Sequence, residues 1–365
     1  MSEHNYCVIL AGGIGTRFWP VSREYKPKQF QAAMGSDRSF LQETWARMSQ
    51  VVPEGHILVV TLARYADLVR EHLPNLPEEN LILEPYGRNT APSIAYTANL
   101  LARRDPDAVM VACPADHIIK DDILFVQTLH RGLEYAAAND VLLTLGIVPT
   151  RPDTNFGYVQ VSGGSEASGS DVPVKAKTFT EKPDAELARV FLDSGEFLWN
   201  SGIFIWKVRT VLQEMARCCP EISRLWDGWT GPKAATVEDL FVQKAYADSL
   251  RISIDYALME KSDKVWVLPS KFNWSDIGTW STLYEHAEVR DKDSNVTDML
   301  GPGILKDVHG DVLVNRNPDK LTVVSGLENY MVIDTDNVLL VCPRDDKRFA
   351  ELLSELALPQ HSKDR

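Results

Sequence analysis

The sequence has 365 residues, of which 44% are hydrophobic and 24% are charged, and its formal net charge is -13. A chain of this size can bury a large core, so we expect one large domain with a smaller appendage. The negative balance excludes a general nucleic-acid-binding protein, which needs a broad basic face. No apolar run approaches the roughly 20 residues of a membrane span, and residues 1–5 lack the basic start of a secretory signal. We therefore expect a cytoplasmic protein with neither membrane nor nucleic acid as a partner.

The first part of the chain alternates short apolar runs with helical patterns. Runs rich in Val, Ile and Leu, which predict buried strands, occupy residues 6–10, 57–60, 81–84, 108–113 and 141–147. Helical patterns lie between them, at about 40–50, 63–72, 90–104 and 122–138. This alternation predicts a Rossmann-like, mainly parallel α/β sheet with helices on both faces, whose ligands bind beyond the carboxyl ends of the strands.

The alternation loosens after Pro149. Two antiparallel strands are predicted at 158–161 and 174–181, joined by a Gly/Ser-rich turn at 162–170. The following patterns predict helices at about 184–193, 208–217 and 236–247, and then a strand at 264–268.

The pattern of apolar and polar residues changes again from about residue 296. Short β-like runs begin at Val312, Leu321, Tyr330 and Val338, roughly nine residues apart, and predict a small β-helical or meander module. A closing helix has one apolar face, formed by Phe349, Leu352, Leu353 and Leu356, which should cover this module, with contact to another subunit as the alternative. We therefore expect one domain at 1–295 and a C-terminal β module with its closing helix at 296–365.

The most informative motif follows the first predicted strand. Residues 10–20 read Leu-Ala-Gly-Gly-Ile-Gly-Thr-Arg-Phe-Trp-Pro, and residues 26–30 read Lys-Pro-Lys-Gln-Phe. Gly12, Gly13 and Gly15 let backbone N–H groups approach a phosphate chain or a base edge directly, because they carry no side chain. Four cations against one acid add up to a charge of +3 over residues 10–30 of an acidic chain, which indicates a polyanionic ligand.

The spacing of this motif excludes two familiar phosphate loops. A Walker loop needs Gly-Lys followed by Ser or Thr, and the sequence contains no such triplet. A dinucleotide fingerprint needs a third glycine that opens a helix, together with an acidic ribose reader, and neither is at the expected spacing. An oxidoreductase built on a dinucleotide fold is therefore excluded.

The same block resembles the signature of sugar-nucleotidyltransferases, which join a sugar 1-phosphate to a nucleoside triphosphate. Its Phe-Trp-Pro and Pro-Lys-Gln-Phe segments are most similar to those of mannose-1-phosphate guanylyltransferases. The resemblance implies that mannose 1-phosphate attacks the α-phosphorus of GTP and that pyrophosphate leaves, so residues 1–295 would be the nucleotidyltransferase catalytic domain. The nucleotide-binding residues that it implies are Leu10, Ala11, Gly12, Gly13, Gly15, Thr16, Asn89, Thr90, Pro114 and Asp116.

Two carboxylates are candidates for Mg²⁺. Asp116 follows a predicted strand, and a carboxylate there is a hard oxygen ligand suited to Mg²⁺ beside a triphosphate. Asp276, in Trp-Ser-Asp-Ile-Gly, is explained about as well as the cap of a helix that begins near Gly278. The resemblance favours the metal, because these enzymes hold Mg²⁺ between one early and one late aspartate.

Three further segments match the sugar-binding regions of the family, at 155–158, 181–183 and 200–202. The resemblance implies that Glu181 and Asn200 hydrogen-bond sugar hydroxyls and that Lys182 faces the sugar phosphate. The sugar-binding residues that it implies are Gly157, Tyr158, Glu181, Asn200 and Gly202. Asn200-Ser-Gly202 also predicts a turn before a strand at 203–207.

Residues 84–92, Glu-Pro-Tyr-Gly-Arg-Asn-Thr-Ala-Pro, predict a helix start. Asn89 or Thr90 can cap this helix, and Pro92 fits its first turn. The segment also resembles the base-facing loop of guanylyltransferases. Asn89 and Thr90 are therefore candidate guanine readers, since guanine offers both an acceptor and donors.

The implied reaction needs no activated nucleophile, because both reactants are anions that have to be positioned and neutralised. We expect Arg17 and Lys28 to grip the triphosphate and Lys182 to grip the sugar phosphate. Two alternatives stay open: a transferase for another hexose 1-phosphate or nucleoside triphosphate, and a non-catalytic sugar-nucleotide sensor. Some relatives are dimers, so a homodimer is allowed, but the sequence does not determine the number of subunits.

Overall fold

The structure is a computed structural model that describes residues 2–32, 36–164, 170–231, 240–276, 278–287 and 289–356. Most of the predicted Gly/Ser turn and the start of the predicted helix at 236–247 lie outside these ranges. The described chain forms two compact units. The first contains residues 2–12, 43–115 and 119–274, and the second contains 13–42, 116–118 and 275–356. The predicted boundary at residue 295 stays a prediction.

Strands and helices lie close to the predicted positions. The strands of the described residues are β1 Asn5–Leu10, β2 Ile57–Leu62, β3 Leu81–Glu84, β4 Val109–Pro114, β5 Ile118–Ile119, β6 Leu142–Ile147, β7 Tyr158–Val161, β8 Val174–Thr180, β9 Phe197–Lys207, β10 Val265–Ser270, β11 Trp274–Ser275, β12 Val296–Met299, β13 Gly303–His309, β14 Val312–Asn315, β15 Thr322–Glu328, β16 Tyr330–Asp334 and β17 Leu339–Pro343. The α-helices of the same residues are Phe40–Met48, Ala66–His72, Thr90–Arg104, Asp122–Ala138, Ala185–Ser194, Val208–Cys218, Pro220–Ser223, Leu240–Asp248, Trp280–His286 and Asp346–Leu356. None of these helices has the length and apolar character that a bilayer crossing requires.

The first unit is built on a nine-stranded sheet in the order β3-β2-β1-β4-β9-β6-β10-β8-β7. Parallel pairs join β1 to β2 and β4, β2 to β3, and β6 to β10. Strand β9 runs antiparallel to both β4 and β6, and β8 runs antiparallel to β10 and β7. All strands except β8 and β9 therefore run in one direction. The predicted Rossmann-like, mainly parallel sheet is confirmed.

The strands of the first unit can be predicted from the sequence because they are buried. Strands β2 and β6 are buried along their whole length, which fits their uninterrupted apolar runs. The helix Thr90–Arg104 packs Ile94, Ala98 and Leu101 into the core that it shares with β1 and β2. These local patterns place the carboxyl ends of β1 and β4 side by side.

One prediction for the first unit is wrong. Asn200-Ser-Gly202 does not form a turn, because these residues lie inside β9, which continues from Phe197 to Lys207. The register between β6 and β9 shifts from Thr144 to Gly146, and Gly202 has a φ of 71°. Turn-forming residues here produce a bulge in a buried strand, and a bulge redirects the neighbouring side chains.

The C-terminal strands of the second unit form two sheets, β12-β14-β16-β17 and β13-β15. From β12 to β16 successive strands alternate between these sheets, and all pairings except β16 with β17 are parallel. The chain therefore winds in coils, and the predicted β-helix-like module is confirmed. The helix Asp346–Leu356 packs Phe349 and Leu353 against Val314 and Ile333 of this module, so it covers the module as predicted. The expectation that Leu352 belongs to the covering face is wrong, because Leu352 is 38% exposed.

Candidate active site

The carboxyl ends of β1 and β4 form one edge of the sheet in the first unit. Leu10 lies opposite Pro114, and Ala115 N donates a hydrogen bond to Leu10 O at 3.0 Å. Ala11 N donates to Val60 O at 2.7 Å. Three of the predicted nucleotide-binding residues, Leu10, Ala11 and Pro114, therefore lie at the edge where parallel α/β sheets bind their ligands.

Gly12 lies at this edge of the sheet, beside Glu84, the last residue of β3. A Cβ on Gly12 would lie 3.1 Å from Glu84 Oε2. Glu84 is 4% exposed, and its Oε1 accepts hydrogen bonds from Ser93 Oγ at 2.5 Å and Tyr246 OH at 2.9 Å. Burial raises the pKa of Glu84 to about 7, although the two hydroxyl donors favour its ionised form. Sequence reasoning missed Glu84, and the available signal was an acid at the end of a buried strand.

Replacing Glu84 with Gln should change the pH dependence of stability. Because the folded pKa of about 7 lies above the ordinary 4.5, the folded state keeps a proton that the unfolded chain releases. The contribution of Glu84 to the free energy of unfolding therefore falls by about 3 kcal/mol as the pH rises from 4.5 to about 7, and it does not change further at higher pH. Gln cannot ionise, so E84Q loses this contribution. Urea unfolding at several pH values measures the free energy of unfolding of the wild type and of E84Q. The same pH dependence in the two proteins would contradict the prediction.

The predicted base-reading residues have local partners in the first unit. Asn89 caps the helix Thr90–Arg104 as predicted, and its side-chain oxygen accepts from Thr90 N at 2.9 Å. Thr90 Oγ1 accepts from Ile254 N at 2.8 Å. One acceptor of each side chain is therefore engaged within the protein, and their contact with a base stays a prediction.

In the second unit, Gly15 lets the glycine loop close tightly. It has a φ of 64°, and a Cβ at this position would lie 2.7 Å from Lys28 Cβ and 2.9 Å from Ser22 Oγ. Any other residue would be strained and would displace Lys28. Gly13 and Thr16 are exposed in the same loop, and Thr16 begins the single 3-10 turn that carries Arg17.

Lys28 connects the two predicted metal ligands. Its side chain is 4% exposed, and its Nζ donates to Asp116 O at 2.8 Å and Asp276 O at 2.6 Å. The same Nζ lies 3.4 Å from Asp116 Oδ2, and the rings of Phe18 and Phe40 flank it at 5.3 and 5.1 Å. One ammonium thus gathers two aspartates that are far apart in the sequence.

Asp276 is not a helix cap. The helix Trp280–His286 is capped by Thr279, whose Oγ1 accepts from Thr282 N at 3.2 Å. A Cβ at Gly278 would lie 3.3 Å from Asp276 Oδ2 and 3.4 Å from Arg17 Nη1. The interpretation of Asp276 as a cap is therefore wrong, and the second unit brings Asp276 and the exposed Arg17 to the same glycine.

The donor set of the second unit fits a magnesium ion. Burial alone would raise the pKa of Asp116, but Lys28 and His117 outweigh it and hold that pKa below its ordinary value. The side chain of Asp116 is still 34% exposed, so an ionised oxygen remains accessible. No group of three or more acidic, His or Cys side chains suited to a metal occurs in the described ranges. Two carboxylates supply hard oxygen ligands that fit Mg²⁺, which completes its shell with water and substrate phosphates.

The predicted sugar-binding residues come together in the first unit. Asn200 N donates to Gly157 O at 2.8 Å, and a Cβ on Gly157 would collide with the Glu181 carboxylate. Lys182 Nζ lies 3.0 Å from Glu181 Oε1. Gly202 N donates to Asn200 Oδ1 at 3.2 Å.

Tyr158 differs from the other members of this group. It is fully buried, and its hydroxyl donates to Asp153 O at 3.0 Å. Asp153 N in turn donates to the Tyr158 hydroxyl at 3.0 Å. These contacts fix the chain that leads to Gly157, and a direct contact of Tyr158 with sugar stays a prediction.

Asp255 lies next to this group, through its contact with Asn200, and is not among the candidates that the sequence predicts. It begins a π-helical turn, Asp255–Met259, and accepts a hydrogen bond from Asn200 Nδ2 at 2.8 Å. Burial and then the Glu181 carboxylate raise the pKa of Asp255 to about 7. The available signal was an acid inside the otherwise largely apolar segment 252–259.

Comparison with known proteins identifies the family of this chain. Residues 6–292 match the family model described as Nucleotidyl transferase. The chain is 36% identical to the Xanthan biosynthesis protein XanB of Xanthomonas campestris pv. campestris (strain B100), over 93% of this chain and 70% of that protein. It is also 36% identical to a Mannose-1-phosphate guanylyltransferase of Escherichia coli, over 98% of this chain and 76% of that protein.

A solved structure supports the same assignment. The crystal structure of a protein described as mannose-1-phosphate geranyltransferase from Thermus thermophilus superposes with a TM-score of 0.83 at 27% identity. The match covers 97% of this chain and 100% of that one. With the family match over most of its length, this chain belongs to the nucleotidyl transferase family, and it is a nucleotidyltransferase.

Proposed function

We propose that this enzyme transfers GMP from GTP to mannose 1-phosphate, with release of pyrophosphate. The observation that carries the proposal is the cluster in the second unit, where Lys28 holds Asp116 and Asp276 together and Arg17 flanks Asp276. Both reactants are anions, so the barrier lies in bringing them together and stabilising charge on the leaving pyrophosphate. Cations and carboxylates that hold a metal ion meet that need without a nucleophilic side chain.

Each residue of the cluster has a separate role in this proposal. Arg17 is exposed, and its planar guanidinium suits bidentate contact with the triphosphate. The contacts of Lys28 lie on protein oxygens, so it fixes the positions of the aspartates in addition to its charge. Asp116 and Asp276 would hold Mg²⁺, which neutralises phosphate charge when it is bound. Lys182, which is 52% exposed at its side chain, would contact the phosphate of the sugar.

Glu84 is added to Asn89 and Thr90 as a reader of guanine. Guanine has N–H donors at N1 and N2, and a carboxylate accepts both. Glu84 Oε1 is engaged by Ser93 and Tyr246, whereas Oε2 faces Gly12 at the ligand-binding edge of the sheet. The missing side chain of Gly12 would let a base edge approach that oxygen.

The variant E84Q should lose its preference for GTP. The Gln oxygen can accept from Ser93 and Tyr246 as before, which directs an NH₂ donor toward the donors of guanine. A hydrogen bond to a charged group contributes about 1.5–3 kcal/mol, so kcat/KM for GTP should fall roughly 10- to 100-fold. Turnover with GTP and with UTP measures the change. The matched control is Glu71→Gln, at an exposed acid of the same unit. Equal losses with both nucleotides would contradict the assignment.

Release of pyrophosphate tests the function itself. The protein is incubated with Mg²⁺ and each pairing of mannose or glucose 1-phosphate with GTP, UTP or dTTP. We expect the highest kcat/KM for mannose 1-phosphate with GTP, and no release when the metal is chelated. A preference for another pair would replace the proposal by the related transferase activity. Binding of GDP-mannose without release from any pair would show a sugar-nucleotide sensor.

A further inference from the structure

A buried carboxylate oxygen in the first unit lacks a hydrogen-bond donor. The side chain of Glu181 is 8% exposed, and its Oε1 lies 3.0 Å from Lys182 Nζ. Its Oε2 is buried and has no hydrogen-bond partner among the residues that the structure describes. The same oxygen faces Gly157, where a Cβ would collide with it. An unpaired buried acceptor is costly, so this oxygen marks a place where a ligand donates a hydrogen bond.

A second carboxylate, that of Asp255, lies next to Asn200. Asn200 Oδ1 accepts from Thr144 Oγ1 at 2.8 Å and Gly202 N at 3.2 Å, so its acceptor capacity is used within the protein. Asn200 Nδ2 donates to Asp255 Oδ1 at 2.8 Å. Asn200 lies at the bulge in β9, and its hydrogen bond to Asp255 orients the Asp255 carboxylate.

The charge around the two carboxylates selects a neutral partner. Glu260 is a third acid here, because its Oε1 accepts from Glu181 N at 2.9 Å. The Glu181 carboxylate raises the pKa of Asp255, and the Lys182 ammonium opposes that rise. This excess of acids favours uncharged hydroxyl groups as donors to the two carboxylates, whereas the phosphate of the same sugar would lie at Lys182.

We propose that Asp255 is a specificity residue for the hexose, and that it accepts a hydrogen bond from one ring hydroxyl while Glu181 accepts one from another. The proposal rests on the proposed function and names the residue that distinguishes one hexose 1-phosphate from another. A site built to pair with a hydroxyl rejects the analogue that lacks it, because its own polar group is then left unpaired.

Two variants separate a direct contact from an indirect one. In Asp255→Asn the new side-chain oxygen can still accept from Asn200 Nδ2, but the other oxygen becomes an NH₂ donor. In Asp255→Ala both functions are lost. Asp248→Asn, at an exposed acid of the same unit, is the matched control. Thermal unfolding followed by circular dichroism confirms that each variant is folded.

The readouts are KM and kcat for GTP and for mannose 1-phosphate, and calorimetric Kd values for mannose 1-phosphate and its 2-, 3-, 4- and 6-deoxy analogues. We expect D255N to lower kcat/KM for mannose 1-phosphate roughly 10- to 100-fold with an unchanged KM for GTP. For one deoxy analogue, the wild type and D255N should have equal Kd values, because the hydroxyl that Asp255 contacts is missing.

Wild-type values for D255N together with a loss in D255A would overturn the proposal, because Asp255 would then act only through Asn200. The proposal would also be overturned if D255N weakened the binding of every deoxy analogue by the same factor relative to the wild type. If the wild type releases no pyrophosphate from any pair, the proposed function is wrong, and the Kd values decide on Asp255 separately. In that case, equal affinity of the wild type and D255N for mannose 1-phosphate excludes the contact.

Discussion

Replacing Arg17 with Ala should lower kcat about 10²–10³-fold, the loss expected when one preorganised donor to developing transition-state charge is removed. Arg17 is exposed, and its guanidinium flanks Gly278 beside the Asp276 carboxylate. It is thus placed to contact an anion that a metal ion held by Asp276 would also approach. An exposed side chain contributes little to stability, so the free energy of unfolding should change by less than about 0.5 kcal/mol.

Steady-state turnover with GTP and mannose 1-phosphate measures the effect of Arg17→Ala, and urea unfolding measures stability. Arg38→Ala is the matched control, since it removes an exposed arginine of the same unit that has no role in the proposal. It should keep wild-type turnover. Full turnover of a folded Arg17→Ala protein would contradict the assignment of Arg17 to the triphosphate.

Replacing Asp276 with Asn should lower kcat about 10³-fold, because a metal ion that stabilises phosphate charge contributes several kcal/mol. The substitution keeps the backbone carbonyl of residue 276, which accepts the 2.6 Å hydrogen bond from Lys28. Thr279 caps the following helix, so the fold does not depend on the Asp276 carboxylate as a cap. The expected loss is therefore one of chemistry and not of structure.

A magnesium titration distinguishes a metal ligand from a residue that supports turnover without binding the ion. The Mg²⁺ concentration for half-maximal turnover should rise in Asp276→Asn, whereas the exposed Asp336→Asn of the same unit should behave as the wild type. An unchanged magnesium dependence with a lower kcat would contradict the assignment of Asp276 as a ligand.

Local patterns in the sequence were sufficient for most of the fold. The runs that predict strands at 6–10 and 108–113 correspond to β1 and β4, and the pattern at 122–138 corresponds to a helix with the same limits. Burial on both faces of a parallel sheet requires continuous apolar runs, and a covered helix requires an apolar stripe. These requirements concern residues that are close in the sequence, so the positions of strands and helices can be predicted from it.

Two local interpretations were wrong for a common reason. Asn200-Ser-Gly202 contains turn-forming residues but lies in a buried strand, because the pairing of Asn200 with β6 and of the following residues 204–207 with β4 outweighs the local preference. Asp276 has the residue type of a helix cap, but Thr279 takes that position and bonds to Thr282. In both places the residue type allowed two uses, and contacts made elsewhere in the fold selected one of them.

The sequence by itself determined the glycine loop, its cations and the candidate acids, since phosphate and metal chemistry demands those residue types. Only the tertiary structure decided that the Lys28 ammonium turns to the backbone of Asp116 and Asp276. It also placed Glu84 beside Gly12 and Asp255 beside Asn200, where burial raises the pKa of each carboxyl to about 7, at Asp255 together with the Glu181 carboxylate. Burial and the approach of distant charges depend on how the whole chain packs, so no local pattern reports them.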